Sequence, residues 1–186
     1  LVDILTLVYV SMLHDPRLLA AAGIAKVLIF FNSAVASGVI IAAAAVLSER
    51  LGDREAHTFT RLTFNLLVMV TLASSLTVAL QLAFVTPITH WLGADNFTFP
   101  LAHRFVLLTL PFIVLQSVMQ MCAQILRAIG DSRSALWVVL SGGATLALAD
   151  PLFIFVFDLG LDGAGIAYAI SGVVSAILGV YLVWRR

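Results

Sequence analysis

Residues 135–155 read ALWVVLSGGATLALADPLFIF. A run of about 20 mostly apolar residues is the length at which a helix crosses the hydrocarbon core of a bilayer. Two residues break the pattern, Asp150 and the Pro151 that follows it. A carboxyl group at that depth is costly and usually functional. Proline lacks the N–H that would bond back along the helix, and its ring clashes with the preceding turn. The stretch therefore predicts a membrane helix kinked at Pro151, with the carbonyl near Ala147 left open beside a carboxyl group. Interrupted helices next to acidic groups are a common device of membrane transporters.

The rest of the chain repeats this composition. Of 186 residues, 62% are hydrophobic and 11% are charged, and the mean hydropathy is +1.10. Water-soluble domains run at about 45–50% apolar and about 25% charged. Too few polar residues remain to cover one water-soluble core, so the bilayer has to be the solvent. The apolar runs are continuous and rich in Ala, Leu and Gly, unlike the alternating segments of about ten residues in membrane β-barrels. The expected fold is all-α integral membrane, a six-transmembrane-helix bundle with no soluble domain.

The spans are expected at about 1–13, 18–47, 62–85, 101–125, 135–157 and 164–184. The first looks truncated: the chain opens on Leu1-Val2-Asp3 without a methionine, and no charged leader precedes it. Arginines mark every second loop: Arg50, Arg54 and Arg61, then Arg127 and Arg133, then Arg185 and Arg186. The opposite loops carry Arg17, Asp15, Asp95, Asp158 and Asp162. Positive charge marks the cytoplasmic side, so the C-terminus is expected in the cytoplasm. Trp91, Tyr181 and Trp184 suit anchoring at the membrane–water boundary.

Formal net charge is zero, which gives no cause to expect a nucleic-acid partner. The single Cys122 leaves no disulfide framework or cysteine metal cluster, and no pair of histidines has metal-ligand spacing. No phosphate-cradling glycine loop, nucleophile elbow or HExxH motif occurs, so neither an enzyme nor a cofactor is expected.

Two carboxylates fall inside spans. Asp150 lies eight residues before Asp158, about 12 Å below that face, and Asp3 lies eleven before His14, roughly 16 Å deep. Both are candidates to take up and release a coupling cation. Lys26 is nearly as far from the turn at His14 as Asp3 is, so adjacent antiparallel helices predict an ion pair. That pair would make Asp3 the poorer proton carrier. Pro111 is a second candidate kink. Asn32, Gln81, Gln116, Gln120 and Gln124 are candidates to line a pathway or to tie helices together, and the last three share one helix face.

Several stretches, in order, carry a resemblance. Residues 126–133, LRAIGDSR, resemble the LRAxGDxR segment of the multidrug and toxic compound extrusion (MATE) family of antiporters. Residues 149–155, ADPLFIF, resemble that family's LDPLFIF in helix five, and residues 163–167, GAGIA, its GAAxA at the start of helix six. Residues 18–25, 38–53 and 92–95 fit its helix-two and helix-four approaches, and Asp3 sits where the family has an acidic residue. Locally, Gly130 can end one helix and Asp131 or Ser132 cap the next.

The resemblance implies one lobe, the N-terminal, of a twelve-helix, two-lobed transporter whose C-terminal lobe is absent from this chain. It implies export of drugs or organic cations, driven by proton or sodium influx, across a bacterial or archaeal inner membrane. Asp150 and Asp3 would be the coupling residues. Leu146 stands where the family often has asparagine and cavity-facing Tyr168 where it often has threonine, which removes two neutral oxygen ligands and favours proton over sodium. Lys26 falls near a position where the family has an apolar residue or proline. Two alternatives differ in class: a lipid-linked saccharide flippase of the same superfamily, or a non-transporting membrane subunit or inactive fragment.

Overall fold

The computed structural model describes residues 8–9, 16–50, 56–93 and 98–185. Among these the elements are α1 (Pro16–Arg50), α2 (Ala56–Ala83), α3 (Val85–Trp91), α4 (Thr98–Ala128), α5 (Ser132–Pro151), a π-helical turn (Leu152–Val156) and α6 (Gly160–Trp184). Five helical segments are long and apolar enough to cross a bilayer. The first expected span lies outside the described residues except for Val8 and Tyr9, which are helical.

The helix ends follow local chemistry. Gly130 adopts φ +82°, a left-handed conformation that closes α4. Asp131 then caps α5, its carboxylate accepting from the Ser134 backbone N–H at 3.1 Å. The helix of the third span ends at Ala83, and Thr86-Pro87 lies in the first turn of α3. Proline is tolerated there because first-turn N–H groups have no partner within the helix.

Helix α4 is the hub, packing against α1, α2, α3, α5 and α6. Half of its apolar window is buried, against a third or less in the other spans. Large apolar side chains also face outward, among them Phe30, Leu148 and Val156, each more than 70% exposed. Such helices are apolar around their whole circumference, which suits lipid on one side and packed helices on the other.

Without a hydrophobic drive between helices in lipid, close approach and hydrogen bonds hold them together. A Cβ on Gly142 would stand 3.1 Å from the Ser175 Cβ, and the Ser171 hydroxyl donates to the Gly142 carbonyl at 2.7 Å. These two contacts join α5 to α6.

The centre of the bundle holds a polar layer. Asn32 of α1, Ser74 of α2 and Ser117 of α4 are all buried. The Ser74 hydroxyl donates to Asn32 Oδ1 at 3.1 Å and lies 2.9 Å from the Ser117 hydroxyl. One apolar cluster, with Leu28, Val78 and Ile113, lies on one side, and a second, with Ala36, Val70 and Met121, on the other. On each helix the polar residue sits four residues from its apolar neighbours, so all three face inward at one level. A shift of one helix by a turn would place these groups against apolar side chains.

Ser74→Ala removes both contacts and leaves the Asn32 amide buried without them. It is expected to cost about 1 kcal/mol, near the middle of the range for hydrogen bonds between membrane helices. Thermal unfolding of the purified protein measures this; an unchanged midpoint would deny the layer any stabilising role.

Candidate coupling site around Asp150

Asp150 is the last residue but one of α5 and has 0% of its surface exposed. Pro151 has no N–H to offer Ala147, and the next N–H, of Leu152, bonds to Ala149, three residues back. The chain then widens into the π-helical turn over Leu152–Val156, in which the Phe157 N–H bonds to the Leu152 carbonyl, five back. The kink expected at Pro151 is therefore a change of helix type. Single π-turns inside α-helices occur frequently at functional sites.

The turn is locked from both ends. Leu159 N–H donates to the Phe153 carbonyl at 3.2 Å, and Asp158 (φ +52°) and Gly160 (φ +53°) reverse the chain into α6. Gly163 then lies against the Phe153 backbone: a Cβ there would stand 2.7 Å from that carbonyl oxygen. Outside the turn, Arg104 of α4 and Asp162 in the first turn of α6 form an ion pair at 2.8 Å.

Asp150 has apolar residues one turn to either side along its helix. Leu146, one turn earlier, is buried, and Ile154, one turn later, is fully buried within the first apolar cluster. Tyr168 and Tyr9 pack against the same cluster, and Tyr9 meets Phe155 edge to face at 6.1 Å. The first apolar run thus touches the segment that carries Asp150. Asp3 lies outside the described residues, and so does its expected ion pair with Lys26, which is half-buried on α1.

The remaining expected residues scatter. Pro111 lies within α4, which continues through it. Gln116 is half-buried on that helix. Gln120 and Gln124 line a cleft of about 280 Å³ between α1, α4 and α5 with Ser37 and Arg127. There the Arg127 guanidinium donates to Gln124 Oε1 at 2.5 Å. Asn32 ties helices rather than facing this cleft. Ser74 and Ser117 escape a reading of the sequence, since isolated serines are frequent in membrane helices; their place four residues from core positions was the available signal. No group of three or more His, Cys, Asp or Glu side chains gathers among the described residues.

A helical bundle with apolar outward surfaces, held by small residues and a central polar layer, defines a multi-pass integral membrane protein. The chain belongs to the MatE family, whose model it matches over residues 1–149. It is 25% identical over 178 residues to the multidrug export protein MepA of Staphylococcus aureus (strain NCTC 8325 / PS 47), covering 94% of this chain and 39% of MepA. Among solved structures it is similar to the Vibrio cholerae MATE transporter VcmN in the bent form, with a TM-score of 0.92 and 23% identity over 100% of this chain and 42% of that one. A MATE structure in the bent conformation matches with a TM-score of 0.89 and 24% identity, over 97% and 40%. The structural matches establish the fold, and the chain spans about two fifths of the length of the relatives it matches.

Proposed function

We propose that this chain is the N-terminal lobe of a secondary transporter that exports drugs or organic cations by alternating access, with Asp150 exchanging the coupling ion. The observation that carries the reading is the fully buried Asp150 carboxyl group at the α-to-π break after Pro151. Removing a charge from water costs far more than neutralising it, so a carboxyl group in such a place works by gaining and losing a cation. Similarity to MepA supports multidrug export as the activity. The coupling ion is a proton: Leu146 places an apolar side chain one turn from Asp150, where a sodium ion would need oxygen ligands. The arginine-rich loops face the cytoplasm in this reading, and the substrate lies between this lobe and a second one.

Co-expression of this lobe with a second six-helix lobe, followed by purification and reconstitution into liposomes, tests the proposal. Ethidium movement is expected under an imposed pH gradient and absent under a sodium gradient alone. Movement driven by sodium at constant pH would overturn the assignment of the ion. Absence of movement under either gradient, with both lobes folded and present together, would overturn the assignment as a transporter.

A further inference from the structure

The cleft of about 280 Å³ between α1, α4 and α5 opens at the end of the bundle that carries the arginine-rich loops. Ser37, Gln120, Gln124 and Arg127 line it, together with Ile41 and Val139. Arg127 is exposed and the other three polar side chains are half-buried, so all four are within reach of a ligand. None of the described residues lining the cleft is acidic. The carboxylate nearest to Arg127 in sequence, Asp131, is engaged in capping α5. It accepts from the Ser134 N–H at 3.1 Å and from the Ser134 hydroxyl at 2.7 Å.

The donors are ordered by depth. Arg127 stands one residue before the end of α4. Gln120 lies seven residues deeper along the same helix, about 10 Å. Between them, Gln124 accepts from the Arg127 guanidinium at 2.5 Å. A guanidinium only donates, so this bond makes Gln124 Oε1 the acceptor and leaves the amide nitrogen a donor. From the boundary inward the cleft thus offers a cation and then neutral donors. Its apolar sides include Ile41, 66% exposed, and Val139, 41% exposed.

We propose that this cleft holds the headgroup of an anionic glycerophospholipid. The phosphodiester lies on Arg127 and Gln124, and an ester carbonyl of the glycerol lies on Gln120. A lipid presents these groups in the same order, phosphate at the boundary and ester carbonyls deeper, and its acyl chains leave past Ile41 and Val139. Basic pockets between membrane helices on the cytoplasmic side suit such headgroups. A charge-assisted hydrogen bond to phosphate is roughly twice as strong as a neutral one. An organic cation would meet Arg127 with like charge. A fatty-acid carboxylate or a free phosphate satisfies Arg127 but leaves the deeper donors unmet where water is scarce. The chain's formal net charge is zero, so the preference is local rather than a general attraction to anionic membranes. Asp150 takes no part in it, and binding is measurable without transport.

Native mass spectrometry of the purified chain released from detergent counts bound lipids directly. Dioleoylphosphatidylglycerol is expected to occupy the chain at a concentration on the order of tenfold lower than dioleoylphosphatidylcholine, whose choline already neutralises the phosphate. Arg127→Gln should erase that preference. Arg133→Gln, an equal loss of charge at the same end but outside the cleft, should leave it intact. Gln120→Leu should weaken phosphatidylglycerol binding about fivefold, the loss of one neutral hydrogen bond. Arg127 is exposed and Gln120 half-buried, so neither change enters the core, and melting followed by circular dichroism checks each fold. Equal occupancy by the two lipids in the unaltered chain would overturn the proposal, and a cleft filled by another segment would give that result. So would a preference that survives Arg127→Gln, or one lost equally with Arg133→Gln. Unchanged binding in Gln120→Leu would overturn the placement of the ester. Displacement of phosphatidylglycerol by glycerol 3-phosphate or inorganic phosphate at similar concentration would overturn the lipid as occupant.

Discussion

Asp150→Asn is expected to reduce gradient-driven export by the assembled two-lobed transporter to background while leaving the lobe folded. Asparagine keeps the shape of the side chain and its capacity for hydrogen bonds, so the packing around α5 and the π-helical turn can persist. It cannot carry a proton on and off or balance a cation. The carboxyl group is fully buried between Leu146 and Ile154, so no water shell substitutes for it. Asp150→Glu keeps the chemistry but adds a methylene to a close-packed site, and should retain a fraction of the activity. Ethidium efflux from liposomes under an imposed pH gradient separates the three proteins, and the unfolding midpoint of each shows that the fold is shared. Efflux retained by Asp150→Asn would remove Asp150 from the coupling step.

The second large effect concerns Gly163. Its Cα lies so close to the π-helical turn that an added Cβ would stand 2.7 Å from the Phe153 carbonyl oxygen and 2.8 Å from its carbon. Backbone cannot rotate away as a side-chain tip can. That carbonyl is also held by the Leu159 N–H at 3.2 Å, so moving it breaks the lock on the turn. Gly163→Val is expected to destabilise the protein by about 3 kcal/mol, at the upper end of overpacking costs. The internal control is Gly38→Ala, where a Cβ would meet nothing within 4 Å and the change should be neutral or slightly stabilising. Cys122, the sole cysteine, is buried in α4, so a thiol-reactive fluorophore reports unfolding directly. Equal midpoints for the two variants would show that α6 does not depend on this contact. If Gly163→Val instead folds and loses transport, the π-helical turn is needed in a state that this contact helps to form.

Much of the architecture was legible before any coordinates. Hydropathy alone marks the spans, because lipid demands about 20 apolar residues per crossing and tolerates little else. The α4–α5 connection was legible too: Gly130 supplies the left-handed stop and Asp131 the cap, both local backbone chemistry. The break after Asp150 followed from proline's missing N–H. The short helix beginning at Val85 was not legible, since a proline in a first turn costs nothing and gives no sign of whether a helix starts or stops there.

What lay beyond sequence was the choice of which faces meet. These helices are apolar on the packed side and on the lipid side alike, so periodicity does not distinguish Ile113, fully packed, from Leu107, 45% exposed. Serine at 74 and at 117 is unremarkable in one dimension; three helices had to converge before they joined Asn32 in one layer. Gln81 likewise needed the Leu28 carbonyl, 53 residues away, to tie α2 to α1. The opening stretch shows the division most clearly. Composition and the Asp150-Pro151 pair marked a membrane helix with a broken backbone and a carboxyl group inside it, because desolvation and a missing N–H act on any chain. Burial of that carboxyl among Leu146, Ile154 and their neighbours, and the wedge of Gly163 against Phe153, required the folded bundle, because contact in a membrane is set by shape rather than by polarity.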